Sequence, residues 1–345
     1  MITEQVLESF TRPFSLSGHK TMVTASIGLT LYPDDGEDPH MLFRNADAAM
    51  YHAKDEGRNT YRFFTPEMNK KALKRLELET QLKYALERGE LSIHYLPVVD
   101  TVSARMLGAE ALLRWENAEL GYVSPSTFIP IAEETGLIGP IGEWVLEESC
   151  REAGRWREAG GQGLQLAVNV SSRQFWGVNL LGAVKSGLAA GSLPAETLTL
   201  EINERLLLDD PPATGTVMSD LAVIGVKFAV DDFGTGFSSL GYLQRFQFDS
   251  LKLDRTFVRD VTLEGENATL GRAIIAMAHG LGLHVIGEGV ETEEQLEFLR
   301  ECACDMVQGY FFSKPLTSGE MLDRVRSEAH LQVSMGGPAS GDEME

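Results

Sequence analysis

Several apolar stretches of the sequence contain, or end on, a side chain that can bind a metal or move a proton. They are Glu110 in GAEALLRW, Asn169 in LQLAVNV, Glu201 in TLTLE, Asp231 and Asp232 in KFAVDD, Lys252 in SLKLD, and Glu288 in HVIGE. Any one acid alone is better explained as a solvated strand end or a helix cap. Hard oxygen ligands in this number favour Mg²⁺ or Mn²⁺ over zinc, because so many carboxylates would repel one another without cations.

The elements around these side chains predict how they come together. After Gly89, strand-like and helix-like stretches alternate, and eight strand candidates are present: residues 91–99, 108–115, 164–171, 197–202, 227–232, 250–254, 284–289 and a short piece near Met306. This alternation predicts an α/β fold of the (β/α)8, TIM-like barrel type, in which the carboxyl ends of the strands meet at one mouth. A doubly wound open sheet is the alternative, although no Gly-rich phosphate turn follows any strand.

Two local patterns refine this picture. Lys252 lies between two leucines, so strand alternation directs it into the barrel, whereas the alternative is a lysine that faces solvent. The acids at 231 and 232 run into the glycine-rich segment 234–236, which either rearranges over a ligand or forms a simple β-turn.

The chain divides into four predicted segments. Apolar residues recur at helical spacing in NKKALKRLELETQLKYALERG, residues 69–89, and predict a long amphipathic helix. We therefore place a short block at residues 1–65, a linker helix at 66–89 and the barrel at 90–330. Residues 331–345 are rich in Gly, Ser and acids without periodicity, and we expect a disordered tail there.

Composition excludes several classes of protein. The formal net charge of −21 disfavours binding to polymeric nucleic acid and requires cations beside any phosphate ligand. The three cysteines are too few for a disulfide scaffold and lack zinc spacing, which favours reduced thiols. No apolar run is long enough to span a bilayer, and MITEQVLESF does not read as a signal peptide, so we expect a cytoplasmic location.

The order of the motifs resembles one family. The motifs are E-A-L-L-R-W at 110–115, N-V-S-S-R-Q-F at 169–175, E-I-N-E at 201–204, D-D-F-G-T-G-F-S-S-L at 231–240, K-L-D at 252–254, E-G-V-E-T at 288–292 and Q-G-Y at 308–310. Together they resemble the EAL-domain cyclic di-GMP phosphodiesterases over residues 70–328. The first block resembles the C-terminal part of a GGDEF diguanylate cyclase domain, through residues 23–36, 46–54 and 57–61, but no G-G-D-E-F turn occurs, so we expect no cyclase activity.

The resemblance implies a fold detail and an activity. One strand of the barrel would be antiparallel, and the chain would hydrolyse cyclic di-GMP to linear pGpG with two Mg²⁺ or Mn²⁺ ions that activate water. A catalytically silent cyclic di-GMP receptor is the alternative, and an unrelated metal-dependent barrel lyase or a structural scaffold is a more distant one. Cyclic di-GMP is the expected partner, and a second copy of the chain is a further candidate.

The resemblance also assigns roles to single residues. Metal ligands would be Glu110, Asn169, Glu201 and Asp231, with Asp232 at a second ion or its waters. Lys252 would contact the attacking water or the scissile phosphate, and Glu288 would bind metal or assist proton transfer. Substrate contacts would come from Arg114, Leu112 and Gln308, the last through a metal-bound water. Glu204 would support Glu201, and Glu291 would anchor the 231–240 loop.

Two positions depart from the family pattern. The family usually has Gln before the proline of the first strand, where it reaches a guanine, but this chain has Leu96 before Pro97. A substrate hydrogen bond is therefore expected to be missing. The usual Thr of the E-x-T-E motif is Asn203 here, which we expect to leave Glu201 in place.

Overall fold

The computed structural model describes residues 2–11, 13–16, 19–177, 179–204, 206–209, 211–234, 240–259 and 265–335. Its contacts divide the chain into two compact units, with the division between Tyr84 and Ala85. Within the described residues, no helix is both long enough and apolar enough to cross a membrane.

The N-terminal unit contains short strands and helices. In chain order they are α1 (Ile2–Ser9), β1 (Phe14–Leu16), β2 (His19–Thr21), β3 (Ile27–Leu29), α2 (Pro39–Asp55), β4 (Tyr61–Phe63) and α3 (Pro66–Ala85), which ends at the division. β1 and β2 pair antiparallel, and β3 and β4 pair parallel. The start of α2 is fixed by Asp38, whose side chain accepts a hydrogen bond from the Met41 N–H, and by Pro39 in the first turn.

Helix α3 differs from the predicted 69–89 helix at both ends. It starts three residues earlier and stops at Ala85, where the Glu90 N–H bonds back to the Ala85 carbonyl and Gly89 adopts a left-handed φ of 66°. Only the second part of the predicted apolar stripe is buried. Leu73 and Leu76 are exposed, and the buried residues of the stripe begin at Leu78.

The described residues of the C-terminal unit include nine strands. They are β5 (Leu91–Asp100), β6 (Met106–Asn117), β7 (Gly121–Val123), β8 (Gln165–Val170), β9 (Leu198–Asn203), β10 (Lys227–Phe233), β11 (Ser250–Leu253), β12 (His284–Gly287) and β13 (Met306–Val307). All eight predicted strands are present. The added strand, β7, forms a hairpin with β6 whose turn is held by the Asn117 side chain, which accepts from the Glu119 and Leu120 N–H groups.

Eight of these strands form a closed ring. The order is β5-β13-β12-β11-β10-β9-β8-β6, and β6 pairs again with β5. β5 is antiparallel to both neighbours, and the other ring strands pair parallel. The predicted barrel is confirmed, including its antiparallel strand, and the closure excludes an open doubly wound sheet.

Helices follow the strands around the ring. They are α4 (Pro125–Thr135), α5 (Ile138–Glu158), α6 (Ser172–Gly177), α7 (Leu180–Gly191), α8 (Leu206–Asp209), α9 (Pro211–Val223), α10 (Leu240–Arg245), α11 (Thr256–Arg259), α12 (Glu266–Gly280), α13 (Glu293–Glu301) and α14 (Ser318–Met335). α5 and α12 are two of the helix-like stretches that alternate with the strands in the sequence. α14 continues past residue 330 into the segment predicted as a tail, and residues 336–345 lie outside the described part.

Strand alternation separates the core from the barrel interior. In β9, the buried residues Leu198, Leu200 and Ile202 alternate with Thr199 and Glu201, which line the barrel interior. Two strands farther along the ring, Leu251 of β11 packs in one apolar cluster with Ile275 of α12. The apolar set thus lies outside the ring, which leaves the inward positions available for chemistry.

Candidate active site

The acids predicted at the strand ends meet at one mouth of the barrel. Its centre is Lys252 of β11, whose ammonium lies 2.9 Å from Glu201, 2.9 Å from Glu288, 3.1 Å from Asp231 and 3.2 Å from Glu110. Lys252 is only 1% exposed, so it points into the barrel as the alternation predicts. One buried cation therefore contacts four carboxylates, three of them on β6, β9 and β10 and the fourth directly after β12.

Two side-chain amides complete the centre of the site. Asn169 Nδ2 donates to Glu110 at 2.7 Å and to Glu201 at 3.0 Å. Gln308 Nε2 donates to Glu110 at 2.7 Å and to Glu288 at 2.8 Å. Each amide bridges two carboxylates with its nitrogen, and this leaves its oxygen for another partner.

The lysine and Glu110 stabilise each other's charge. Burial alone would lower the pKa of Lys252, but the four carboxylates outweigh burial and raise that pKa well above its usual value. Burial alone would likewise raise the pKa of Glu110. The Lys252 ammonium and the hydrogen bonds from Gln308 and Asn169 outweigh it, so the pKa of Glu110 falls below its usual value.

The remaining acids carry more negative charge than one lysine compensates. Burial and the neighbouring Glu110 carboxylate raise the pKa of Glu201 well above its usual value. Burial raises the pKa of Glu288 to about 7, against the attraction of the lysine. Burial and the charge of Asp231 also raise the pKa of Asp232. The raised pKa values of these three acids indicate that the site favours additional positive charge, from protons or from metal cations.

Asp232 lies at the point where β10 leaves the barrel. Its φ is 54°, a left-handed conformation that is uncommon outside glycine. Asn203 of β9 donates to its carboxylate at 3.4 Å, so the asparagine that departs from the family pattern contacts this neighbouring acid. Residues 235–239, the rest of the predicted mobile loop, lie outside the described residues.

The donor set fits divalent cations. Ligand oxygens of Asp231, Asp232 and Glu288 lie within 4.8 Å of one another. Gln308 Oε1 is buried and has no hydrogen-bond partner among the described residues, so it is an acceptor that an ion or an ion-bound water would satisfy. The donors are all oxygens, as Mg²⁺ and Mn²⁺ prefer.

Four predicted residues lie apart from this centre. Arg114 is half-buried on β6 and donates to the Leu113 carbonyl at 3.0 Å, and Leu112 pairs in register with His94 of β5. Glu204 comes directly after β9, and its carbonyl accepts from the Leu207 N–H. Glu291 is exposed, and its N–H donates to Gln295 at 2.7 Å. Any contact of Glu291 with residues 235–239 falls outside the described part.

The sequence reasoning overlooked residues at the opposite end of the strands. Gln165, Thr199 and Lys227 occupy inward positions at the starts of β8, β9 and β10. The alternation that predicts an inward Lys252 also predicts inward side chains at these three positions. The predicted site residues lie at or near the carboxyl ends of the strands, whereas these three lie at the other end.

Comparison with known families decides the relationship. Residues 79–315 match the family model described as EAL domain, and residues 1–60 match that described as diguanylate cyclase, GGDEF domain. The chain belongs to the EAL-domain family. EAL-domain phosphodiesterases are metal-dependent, in agreement with the acidic cluster at this mouth.

Curated relatives of this EAL-domain chain carry named activities. It is 42% identical over 324 residues to the bifunctional diguanylate cyclase/cyclic di-GMP phosphodiesterase MucR of Pseudomonas aeruginosa, covering 94% of this chain and 47% of that protein. It is 38% identical over 315 residues to the cyclic di-GMP phosphodiesterase PdeR of Escherichia coli, covering 91% of this chain and 47% of that one. The chain therefore spans about half the length of these two relatives.

Solved EAL structures have the same fold. The MucR phosphodiesterase in complex with c-di-GMP superposes with a TM-score of 0.69 at 40% identity, covering 71% of this chain and 99% of that one. The FimX EAL domain from Pseudomonas aeruginosa bound to c-di-GMP superposes with a TM-score of 0.62 at 26% identity, covering 70% and 97%.

Proposed function

We propose that this chain is a metal-dependent phosphodiesterase that hydrolyses cyclic di-GMP to linear pGpG. The observation that carries the proposal is the all-oxygen cluster around Lys252, formed by side chains from several strands at one mouth of the barrel. Relatives named as cyclic di-GMP phosphodiesterases supply the substrate class.

The proposed ion-binding residues are those whose oxygens converge. Two Mg²⁺ or Mn²⁺ ions would be held by oxygens of Glu110, Asn169, Glu201, Asp231 and Asp232. Bound there, such ions would lower the pKa of a water nucleophile and neutralise charge on the phosphodiester. This requirement follows from the charge of the site, because an acidic mouth otherwise repels an anionic substrate.

The chain's own residues have complementary roles. Lys252 would hold the carboxylates in register and lie near the scissile phosphate, and Glu288 would bind metal or assist proton transfer. The guanidinium of Arg114 would grip a phosphate through its planar set of donors, beside Leu112. Gln308 would hold a water through its free oxygen.

Two residues would act through their neighbours. Glu204 would support the β9 acid at 201. Glu291 would anchor the 231–240 loop and so control its position over the substrate. We also propose that residues 1–65 are a GGDEF remnant, that 66–89 link it to the barrel, and that the barrel ends near residue 330.

Turnover of the full chain tests the function. We expect linear pGpG after incubation with cyclic di-GMP and Mg²⁺ or Mn²⁺, followed by chromatography, and no product when a chelator is present. Saturable binding of cyclic di-GMP without product under either metal would overturn the enzymatic proposal in favour of a receptor.

Glu110→Gln tests the site. Since the substitution removes a charged oxygen ligand but keeps the shape, we expect kcat at saturating Mg²⁺ to fall at least about tenfold. Thermal melting without metal verifies that the variant folds, since the Lys252 ammonium keeps its contacts with Glu201, Asp231 and Glu288. Glu143→Gln, at an exposed position of α5, is the control. Retained kcat in Glu110→Gln would remove this residue from the proposed ligands.

A further inference from the structure

A second cavity lies inside the barrel at the end opposite to the active site. It has a volume of about 310 Å³ and is lined by residues at the starts of the parallel strands together with the last part of β5. Such barrels normally fill this layer with bulky branched side chains. Here the inward positions carry Gln165, Thr199, Lys227 and Ser250, which are polar, and Ala167 above them is small. The layer therefore leaves space where a packed core is expected.

The polar side of the cavity carries a half-buried ammonium whose side-chain partner is neutral. Lys227 Nζ donates to Gln165 Oε1 at 3.0 Å, and this partner is a neutral amide. Two carboxylates also line the cavity, and each has a donor of its own: Asp249 accepts from the Phe228 N–H at 2.9 Å, and Glu201 accepts from Lys252 at 2.9 Å. A half-buried ammonium beside a cavity is favoured when an anion occupies the cavity.

The remaining walls are apolar. Val98 of β5 and Ile286 of β12 are buried and line the cavity beside Met306 of β13. Ser250 of β11 offers a hydroxyl between these walls and the lysine, and Thr199 of β9 offers another on the other side of the lysine. The cavity thus presents an ammonium and a hydrocarbon surface, while its two carboxylates are hydrogen-bonded to other donors, and this arrangement complements an amphipathic anion.

We propose that this lower cavity is a second ligand site, which takes a small carboxylate with an apolar body of about ten non-hydrogen atoms. The carboxylate would lie on Lys227, and the apolar body would lie on Val98, Ile286 and Met306. The size follows from the volume, since each water occupies about 30 Å³ of liquid. The proposal does not rest on hydrolysis of cyclic di-GMP, and its residues differ from the proposed catalytic ones.

The inner wall of this cavity is shared with the active site. Glu201 lines the cavity and also accepts from Lys252 and Asn169 at the mouth. A ligand in the lower cavity would therefore contact a residue of the active site from beneath.

Calorimetry with octanoate tests the site on the full chain. We expect saturable one-to-one binding of octanoate, at least tenfold weaker binding of neutral octanamide because it lacks the charge, and no saturable binding of inorganic phosphate because it lacks the apolar body. No binding of octanoate, equal binding of octanamide, or binding of phosphate with the affinity of octanoate would overturn the proposal.

Two variants locate the bound ligand. Lys227→Met removes the charge at similar volume, and Thr199→Leu fills the cavity, so each should weaken octanoate binding at least tenfold. Lys185→Met, at an exposed position of α7, is the matched control and should bind as the unmodified chain does. Thermal melting verifies that each variant folds. Octanoate binding that survives in both folded cavity variants would place the ligand elsewhere and overturn the proposal.

Discussion

At the scale of single residues, the site is defined by its charge. Lys252 provides one positive charge to four carboxylates, and two amides bridge the same groups. Removal of one partner from a buried ion pair is strongly destabilising, whereas further cations would lower the repulsion between the acids. The arrangement therefore favours binding of divalent ions while it keeps the carboxylates in place without them.

Leu96→Gln tests the departure from the family pattern. Leu96 lies on β5 opposite Glu110 in register, where the family's Gln would reach a guanine. An unsatisfied polar group costs about 1 to 3 kcal/mol, so the added amide should lower KM for cyclic di-GMP about tenfold. We expect kcat to stay similar, because binding of the base is separate from the chemical step.

Steady-state kinetics of both proteins check this prediction. Leu96→Met, which retains an apolar side chain of similar volume, is the control and should leave KM unchanged. A KM that is equal or higher in Leu96→Gln would mean that the guanine lies elsewhere or already has a partner.

Much of the site could be predicted at this scale, for a physical reason. A closed barrel of parallel strands brings the carboxyl ends of its strands together. The convergence of acids at these ends can therefore be predicted without knowing any distance. The distribution of protons depends on burial and on separations of a few ångströms, which sequence does not contain. The low pKa of Glu110 beside the high pKa of Glu201 is of this kind.

At the scale of elements, helices α5 and α7 approach closely through glycine. A Cβ on Gly191 would lie 2.0 Å from the Cys150 carbonyl oxygen, an overlap with backbone that no side-chain rotation relieves. We expect Gly191→Ala to lower the free energy of unfolding by about 1 to 3 kcal/mol, measured by denaturant titration.

Gly319→Ala is the control for this prediction. Gly319 lies in the first turn of α14, and a Cβ there meets no atom within 4 Å, so the change should be neutral or slightly stabilising. Equal effects of the two substitutions would show that glycine flexibility, and not helix contact, determines stability at residue 191.

Asp305, the residue directly before β13, is hydrogen-bonded to β12. Its carboxylate accepts from the Val285 N–H at 2.8 Å and from His279 at 2.9 Å. Partial burial alone would raise the pKa of Asp305, but these hydrogen bonds outweigh it and hold the pKa below its usual value. A lowered pKa contributes stability above the unfolded pKa, near 3.9, and that stability is lost as pH falls through the folded pKa.

The effect of Asp305→Asn on the free energy of unfolding should therefore depend on pH. We expect a loss of about 1 kcal/mol in the free energy of unfolding at pH 7, which shrinks below pH of about 4 as the aspartate of the unmodified chain becomes protonated. Asp323→Asn, at an exposed ion pair on α14, should change little at either pH. A loss of equal size at pH 7 and pH 3 would contradict the role of the charge.

The elements themselves were predictable where apolar periodicity is strong. All eight ring strands were found because alternation or a continuous apolar run marks them. The β6–β7 hairpin and the early end of α3 were not, because a side-chain turn at Asn117 and a left-handed Gly89 decide them. Such local bonds can outweigh periodicity over two or three residues.

At the scale of the whole molecule, negative charge opposes an anionic substrate. The formal charge of −21 belongs to the whole chain and not only to the site. The Debye length shortens from about 30 Å at 0.01 M salt to about 8 Å at 0.15 M. At saturating Mg²⁺ we expect KM for cyclic di-GMP to fall about twofold to fivefold over this range, since salt screens the repulsion. Sucrose at matched osmolality serves as the control, and a KM that rises with NaCl would contradict the prediction.

The residue pattern does not predict the direction in which a strand runs. Alternation is the same whichever way a strand runs, so the pattern of β5 predicts a strand but not that it opposes both neighbours. Only the family resemblance indicated the antiparallel strand.

Ring closure has a consequence for synthesis. The strand that completes the ring, β13, has two residues, and Met306 and Val307 pair with Asp100 and Val99 about 200 positions earlier. As a chain emerges from the ribosome, the free edges of β5 and β12 stay without partners until residue 307 is made. Contacts so distant in sequence form slowly, and open strand edges favour association with other chains. The nascent polypeptide is therefore most vulnerable to aggregation between completion of β12 and release of β13.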